Sequence, residues 1–297
     1  MDSILKLIGV GSLLDSMALV GEDEESFNRI VHKIRKADIK RPPGLIHANF
    51  HVSESDIASF PLFTMMSDNK PAKEIILYLH GGSYVVGPNM LHWYTLNHLS
   101  SLEKLDFALL DYPKTPEHQA LTTMKVTLNT YQLLADRYGA ENITLMGDSA
   151  GGGLALALAM ELVSQQQPLP RRLVLFSPWL DLSMENPEAR NYDKKDIMLN
   201  CDGLAVCGHR YAGSLDIHHP WVSPRFGEKE GLPPLYFFVS TPEVFWPDIR
   251  DFTTEAKSIG LMVELIVGLE MPHDYPVLSM MPGGRQALDK VIEILST

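Results

Sequence analysis

Short apolar strands alternate with helical segments along most of the chain, and this alternation restricts the fold more than any other feature. The clearest strand, Ile75-Ile76-Leu77-Tyr78-Leu79, is a continuous apolar run typical of a strand covered on both faces. The alternation of strands and helices predicts a mostly parallel sheet with helices on both faces. The predicted strands are residues 60–66, 74–79, 107–110, 143–146, 173–176, 235–239 and 262–267, with a weaker candidate at 48–52. The predicted helices are residues 121–138, 154–163, 252–259 and 288–295.

Two regions depart from this alternation. Apolar residues recur at helical spacing before Pro42-Pro43-Gly44, where the helical region stops. Residues 182–221 form a polar insertion that we expect to be irregular. The 297 residues are enough for one large α/β domain. We therefore expect a single domain with two added pieces.

A candidate nucleophile lies at Gly147-Asp148-Ser149-Ala150-Gly151, which matches the G-x-S-x-G pattern of a nucleophile elbow. A predicted strand precedes it and a helical pattern follows, which is the context that the elbow requires. The turn would place the Ser149 hydroxyl at its apex, and the N-terminus of the next helix would face developing negative charge.

A glycine-rich loop, His80-Gly81-Gly82-Ser83, follows directly on the buried strand and is similar to HGGG-type loops. Glycine lets the backbone approach a substrate closely, and fixed backbone N–H groups stabilise the oxyanion formed during acyl transfer. We predict an oxyanion hole at Gly81, Gly82, Ser83 and Ala150, with the N–H groups of the last three as donors.

A serine nucleophile needs a general base, and the base needs an orienting acid. In α/β-hydrolases the chain order is serine, acid, histidine, and the histidines after Ser149 are His209, His218, His219 and His273. The first three lie in the insertion, whereas His273 follows the last predicted strand, where catalytic groups collect in parallel sheets. His273 is therefore the predicted base.

The acid is expected near the end of the predicted strand 235–239, where Glu243, Asp248 and Asp251 are the candidates. Glu243 stands at the mouth of the loop after the strand. Asp248 stands near the start of the next helix, where a carboxylate is typical of a cap or first-turn residue. Glu243 is the preferred acid, Asp248 the alternative, and Asp251, inside the helix, the weakest.

Together these motifs resemble the bacterial hormone-sensitive-lipase-type esterases of the α/β-hydrolase superfamily, over about residues 45–297. In that family the acid opens a D-P-L or E-I-L element, and Glu243-Val244-Phe245 stands at its place. Further markers are residues 111–118 and 177–181. The departures from the family pattern are Ser83 for glycine, Lys114-Thr115 for Leu-Ala, and Asp274 for the glycine after His273.

The resemblance implies an α/β-hydrolase fold with residues 1–45 as N-terminal cap helices and 46–297 as the catalytic domain, including a cap insertion at about 182–221. It implies a serine carboxylesterase that hydrolyses short-chain carboxylic esters through Ser149, His273, Glu243 and an acyl-enzyme, without cofactor or metal. A homodimer is in keeping with the family. Aromatic candidates to line the substrate pocket are Tyr84, Trp93, Tyr211, Phe245 and Trp246.

Two other functions remain open on the same fold. An amide, formamide or lactone hydrolase would use the same catalytic residues. The sequence therefore distinguishes such an enzyme poorly from an esterase. A non-catalytic ligand-binding protein would be expected to lose the nucleophile or the base, and both Ser149 and His273 stand in place here.

Composition excludes several other classes of protein. The net charge of −12 repels phosphate backbones and anionic lipid, so nucleic-acid and polybasic membrane binding are disfavoured. Two cysteines exclude a disulfide framework and suggest a reducing compartment. Cys201 and Cys207 have histidines nearby, but their spacing of six fits no common zinc motif.

Targeting signals are weak. The apolar run at residues 7–14 lacks the basic start and the cleavage site of a secretory signal. The longest apolar run ends at Glu161, short of the length a membrane helix needs, so no stable membrane insertion is expected. We expect a cytoplasmic protein.

Overall fold

The computed structural model describes residues 10–21, 23–67, 72–99 and 105–297. One eight-stranded sheet forms its centre, in the order β1-β2-β4-β3-β5-β6-β7-β8. The first two strands are antiparallel to their neighbours and the later pairs are parallel, which confirms the predicted mostly parallel sheet. The strands are β1 His51–Ile57, β2 Phe60–Met66, β3 Glu74–Leu79, β4 Leu105–Leu110, β5 Ile143–Asp148, β6 Arg172–Phe176, β7 Leu235–Ser240 and β8 Val263–Gly268.

Helices cover both faces of this sheet. Successive side chains of β3 enter two separate apolar cores: Ile75 and Leu77 lie in one, Ile76 and Tyr78 in the other. This alternation explains the unbroken apolar run, because neither face of the strand meets water. The α-helices are α1 Val10–Val20, α2 Glu24–Ile34, α3 Gly44–Asn49, α4 Met90–Leu99, α5 Ala120–Tyr138, α6 Ser149–Ser164, α7 Cys201–Ala212, α8 Trp246–Ser258 and α9 Pro282–Leu295.

Helix α6 begins earlier than the apolar pattern predicts, at Ser149 rather than residue 154. The intervening glycines do not interrupt it, because α6 lies so close to the sheet that larger residues would not fit. A Cβ atom on Gly151 would stand 2.0 Å from the Leu79 carbonyl oxygen. The glycines therefore serve close packing of the helix on β3.

Two sequence predictions about secondary structure need correction, and one helix was not predicted. Residues 48–52 are not one strand, since α3 runs to Asn49 and β1 starts at His51. The insertion is not irregular throughout: it contains α7, whose N-terminus is capped by the Asn200 side chain accepting the Gly203 N–H at 2.7 Å. Helix α4 was not predicted, although one of its sides packs Trp93 and Leu96 into the core.

The N-terminal region packs against the insertion through α1 and α7. The approach is close, since a Cβ atom on Gly203 would lie 2.2 Å from the Leu14 carbonyl oxygen. The first nine residues of the predicted cap lie outside the described residues. No helix in the described part of the chain has both the length and the apolar character needed to cross a bilayer.

Candidate active site

Ser149 lies at the junction of β5 and α6. Its φ of 50° is left-handed, and this turn places the residue at the start of the helix. A Cβ atom on Gly147 would stand 2.5 Å from the Gly151 carbonyl oxygen, so the turn requires glycine at that position. Ser149 is only 5% exposed. The predicted strand–turn–helix context of Ser149 is therefore present.

His273 reaches Ser149 from the loop after β8. Its Nε2 lies 3.1 Å from Ser149 Oγ, and its Nδ1 lies 2.6 Å from Glu243 Oε2. The Phe245 ring packs edge-on against the imidazole with centroids 5.3 Å apart. The three side chains predicted from the sequence thus form one continuous line of contacts, although Ser149 and His273 lie 124 residues apart in the chain.

Glu243 is fully buried and held by two donors. The Ser240 N–H donates to Oε1 at 2.6 Å and the Ser177 hydroxyl donates to the same oxygen at 2.8 Å. With Oε1 occupied in this way, Oε2 faces His273 and accepts from Nδ1–H. In the neutral imidazole, this contact keeps the proton on Nδ1 and leaves the lone pair on Nε2, the nitrogen nearest Ser149.

The insertion supports the loop of the acid. Asp196 Oδ2 accepts the Val244 N–H at 3.1 Å, while its Oδ1 accepts the N–H groups of Met198 and Leu199. Burial raises the pKa of Asp196 to about 6, and the nearby Glu243 carboxylate adds to the rise. Sequence reasoning missed Asp196, because nothing local links it to a loop 48 residues away.

The alternative acid, Asp248, lies elsewhere. It stands in the first turn of α8, where its Oδ1 accepts from Asn186 Nδ2 at 2.7 Å. It lines a separate polar cavity of about 370 Å³ together with Asp181 and Arg225. Burial raises the pKa of Asp248 to about 6. The imidazole Nδ1 is bonded to Glu243 and not to this carboxylate.

The glycine-rich loop has an unusual backbone. Gly82, Ser83 and Tyr84 all have positive φ angles, of 121°, 54° and 59°. A Cβ atom on Gly82 would meet Val86 Cγ2 at 2.6 Å, so both conformation and space require glycine there. The N–H groups of Gly82 and Ser83 donate to no backbone carbonyl in the described chain, and Ala150 lies in the first turn of α6, where no preceding helical carbonyl is in reach. These donors are therefore available to a substrate oxygen.

A buried carboxylate joins this loop to the elbow. Asp148 accepts the Tyr78 hydroxyl at 2.7 Å, and His92 Nε2 lies 3.2 Å from its other oxygen. Burial alone would raise the pKa of Asp148, but His92 and Tyr78 outweigh it and hold that pKa below its ordinary value. A Cβ atom on Gly81 would lie 2.2 Å from Asp148 Oδ2. Gly81 thus packs directly on this carboxylate.

A cavity of about 320 Å³ opens at Ser149 and His273. The N-terminal region contributes Ile34, Ala37, Asp38 and Ile39 to its walls, and the insertion contributes Met198. Six aliphatic and methionine side chains also line it: Val86, Met90, Leu91, Val277, Leu278 and Met280. His92 and Tyr94 add two rings to the walls. Both added pieces of the chain therefore reach the site.

The five aromatic pocket candidates are not among the residues that line this cavity. Tyr84 and Tyr211 stack on each other in the core with centroids 3.7 Å apart. Trp93 is fully buried and donates its indole N–H to the Ile39 carbonyl. Phe245 packs between His273 and Trp179, and Trp246 packs against the main core. These large rings fill the interior, and the pocket prediction fails for this reason.

Asp274, noted in the sequence only as a departure, borders the reacting groups. Its Oδ2 lies 3.0 Å from His273 Nε2, and the residue lines the cavity. Burial raises the pKa of Asp274 to about 7, Asp148 and Glu243 add to the rise, and the neighbouring imidazole opposes it. In the sequence, only its position directly after the predicted base indicated that Asp274 lies next to the reacting groups.

The cysteines carry no visible role in this arrangement. Cys201 and Cys207 are buried in α7, and burial raises the pKa of both thiols to about 12. Within the described ranges, no group of three or more His, Cys, Asp or Glu side chains is placed to hold a metal ion.

Comparisons with known proteins agree with this geometry. Residues 76–277 match a family model described as the alpha/beta hydrolase fold. An acetyl-hydrolase of Streptomyces hygroscopicus is 33% identical over 236 residues, which is 77% of this chain and 78% of that protein. The structure of a putative esterase from Staphylococcus aureus superposes with a TM-score of 0.85 at 26% identity, over 94% of this chain and 95% of that one.

A second solved structure carries the family name. It is an esterase from the bacterial hormone-sensitive lipase family, with a TM-score of 0.80 and 27% identity, and it covers 97% of this chain and 96% of its own. The chain is therefore a member of the α/β-hydrolase fold family and, within it, a carboxylic ester hydrolase of the bacterial hormone-sensitive-lipase type.

Proposed function

We propose that this carboxylic ester hydrolase acts on short-chain esters through Ser149 as nucleophile, His273 as general base and Glu243 as orienting acid. The observation that carries the proposal is the line of contacts from Ser149 Oγ to His273 Nε2 at 3.1 Å and from Nδ1 to Glu243 at 2.6 Å. The line ends at a cavity large enough for a small substrate.

The first half of the reaction forms an acyl-enzyme. His273 accepts the Ser149 proton at Nε2 while Oγ attacks the ester carbonyl carbon, and the carbonyl π electrons move to the oxygen. Glu243 stabilises the imidazolium that results. The tetrahedral intermediate then collapses, the bond to the alcohol oxygen breaks, and Nε2–H protonates the leaving alcohol. Water repeats the sequence on the acyl-enzyme and releases the acid.

Backbone N–H groups stabilise the oxyanion in this mechanism. The N–H groups of Gly82 and Ser83 donate to no backbone carbonyl in the described chain, and Ala150 stands in the first turn of α6, whose dipole favours negative charge. Gly81 holds the loop against Asp148. Fixed donors of this kind stabilise the transition state without having to reorganise.

The size and lining of the cavity support a preference for short esters. Its volume of about 320 Å³ is near the lower end for small-molecule sites, and its walls include Ile34, Leu278 and Met280. Aliphatic walls accept a small acyl or alkyl group by burial of apolar surface.

The preference is tested with p-nitrophenyl esters of increasing chain length. We expect kcat/KM for the acetate and butyrate to exceed that for the decanoate and palmitate by about tenfold or more, because a long chain does not fit the cavity. The matching arylamide and a small lactone, measured alongside, separate the amide and lactone alternatives. Turnover that rises towards palmitate, or that is fastest on the arylamide, would contradict the proposal.

The pH dependence follows from the groups around His273. Burial disfavours the imidazolium, but the Asp274 and Glu243 carboxylates outweigh it and raise the pKa of His273 well above its ordinary value of 6.5. Asp196 contributes further negative charge nearby. Since the base must be neutral to accept a proton, kcat/KM should rise with pH to a midpoint above 6.5. Full activity already at pH 5 would contradict this assignment of the base.

A further inference from the structure

Asp274 and Ser149 compete for one atom of His273. The Asp274 Oδ2 lies 3.0 Å from Nε2, and the Ser149 Oγ lies 3.1 Å from the same nitrogen. An imidazole nitrogen has either one lone pair or one proton in the ring plane, so it can form one good hydrogen bond at a time. While the Asp274 carboxyl group occupies Nε2, the nitrogen is not fully available as a base for Ser149.

The second oxygen of Asp274 lacks a partner. Its Oδ1 is buried and accepts no hydrogen bond in the described part of the chain, although the residue lines the cavity. Asp38 also lines the cavity, and its buried Oδ2 likewise accepts no hydrogen bond in the described part of the chain. A buried carboxylate oxygen without a donor is costly, so a ligand that supplied a donor would be bound more tightly.

The protein supplies little that could satisfy this oxygen. Burial raises the pKa of Asp274, the neighbouring His273 opposes this rise, and the Asp148 and Glu243 carboxylates add to it. No lysine or arginine stands among the described residues that line the cavity. The Asp274 N–H donates to the Ser177 hydroxyl at 3.3 Å, and this contact holds the backbone while the carboxyl group faces the reacting atoms.

We propose that Asp274 is a specificity-determining residue that selects esters whose alcohol part carries a hydroxyl group on the carbon next to the ester-bearing carbon. The inference rests on the proposed function of Ser149 and His273. Nε2–H delivers its proton to the leaving alcohol oxygen, so a group in contact with Nε2 is near the alcohol part of the substrate. A neighbouring hydroxyl is close enough to donate to the Asp274 carboxylate.

This contact would release the base as the substrate binds. A carboxylate at Nε2 requires a proton on that nitrogen. When the substrate hydroxyl donates to Asp274 in its place, this Nε2 proton passes to solvent water and leaves the lone pair on Nε2. His273 then accepts the Ser149 proton, the Oγ–carbon bond forms, and the bond to the alcohol oxygen breaks as Nε2 returns that proton to the leaving group. The hydroxyl is not consumed, so no further reactant is needed.

The test compares 2-hydroxyethyl acetate with propyl acetate, which has a methyl group in place of the hydroxyl. We expect the wild-type kcat/KM to favour the hydroxyethyl ester roughly tenfold to a hundredfold, as for other hydrogen bonds to a charged group. In Asp274→Gly the ratio should fall close to one. The φ of 53° at this residue suits glycine, so the variant should fold.

Two further variants make the test specific. Asp274→Asn keeps the shape but removes the charge, and it should reduce the ratio and shift the acidic limb of kcat/KM to lower pH. Glu270→Gln removes an exposed carboxylate from the same loop and should leave the ratio unchanged. Equal wild-type rates on both esters, or a preference that survives Asp274→Gly, overturns the inference. Hydrolysis of both esters by Ser149→Ala would instead overturn the proposed function.

Discussion

Replacement of Ser149 by alanine is expected to lower kcat/KM for p-nitrophenyl acetate at least a thousandfold, and up to about a millionfold. The variant removes the proposed attacking atom, while the proposed oxyanion donors at Gly82, Ser83 and Ala150 remain. These donors account for the residual rate over water that serine hydrolases keep after loss of the nucleophile. Steady-state kinetics with the purified variant measures the loss.

The structure of the site should survive this change. Alanine and serine differ by one hydroxyl group, whose described partner is His273 Nε2. The thermal midpoint of Ser149→Ala should therefore stay close to that of the wild type. Ser164→Ala, an exposed serine at the other end of α6, is the matched control and should retain full activity. Undiminished turnover by Ser149→Ala would show that Ser149 is not the nucleophile.

Replacement of Glu243 by glutamine is expected to reduce kcat/KM by about ten-thousandfold, the loss that follows when the acid of such a triad becomes an amide. The amide oxygen can still accept from Ser240 N–H and from the Ser177 hydroxyl, so the side chain should stay in place. Its NH₂ group would then donate to Nδ1 of His273. This forces the proton onto Nε2, which can no longer accept from Ser149.

The matched control is Asp248→Asn, which changes the other candidate acid in the same conservative way. Asp248 bonds to Asn186 and lines a separate cavity, so its loss should have little effect on kcat/KM. Kinetics of the two variants side by side decides the assignment. A large loss in Asp248→Asn together with near-normal activity in Glu243→Gln would transfer the role to Asp248.

The sheet and the proximity of Ser149, His273 and Glu243 were predictable because their signals are local. The apolar run of β3 reflects burial on both faces, and this burial is visible in five consecutive residues, Ile75–Leu79. The Gly147–Gly151 turn and the loop of His273 each follow a strand, so chain order alone placed them at one edge of a parallel sheet.

The supporting contacts were not predictable, since they join side chains that are distant along the chain. His92 meets Asp148 across 56 residues, and no pattern in α4 indicates this contact. Asp196 reaches Val244 across 48 residues from within the insertion. Such pairs depend on how helices pack on the sheet, which the periodicity of one segment does not specify.

The lining of the pocket was missed for a different reason. Large aromatic residues were predicted to line the pocket, but two of them, Tyr84 and Tyr211, pack face to face in the core. The cavity is instead lined by residues such as Ile34 from the N-terminal region and Met198 from the insertion. Which face of a buried residue meets a cavity is decided by tertiary packing, and composition alone does not contain this information.

The most direct test of the central claim is covalent labelling with a fluorophosphonate, followed by mass spectrometry of the digested protein. The reagent reacts with a serine that an adjacent base has activated. We predict a single adduct on Ser149, absent in Ser149→Ala and strongly slowed in Glu243→Gln. No adduct on the active wild-type enzyme, or an adduct on a different serine, would contradict the assignment of Ser149 as the nucleophile.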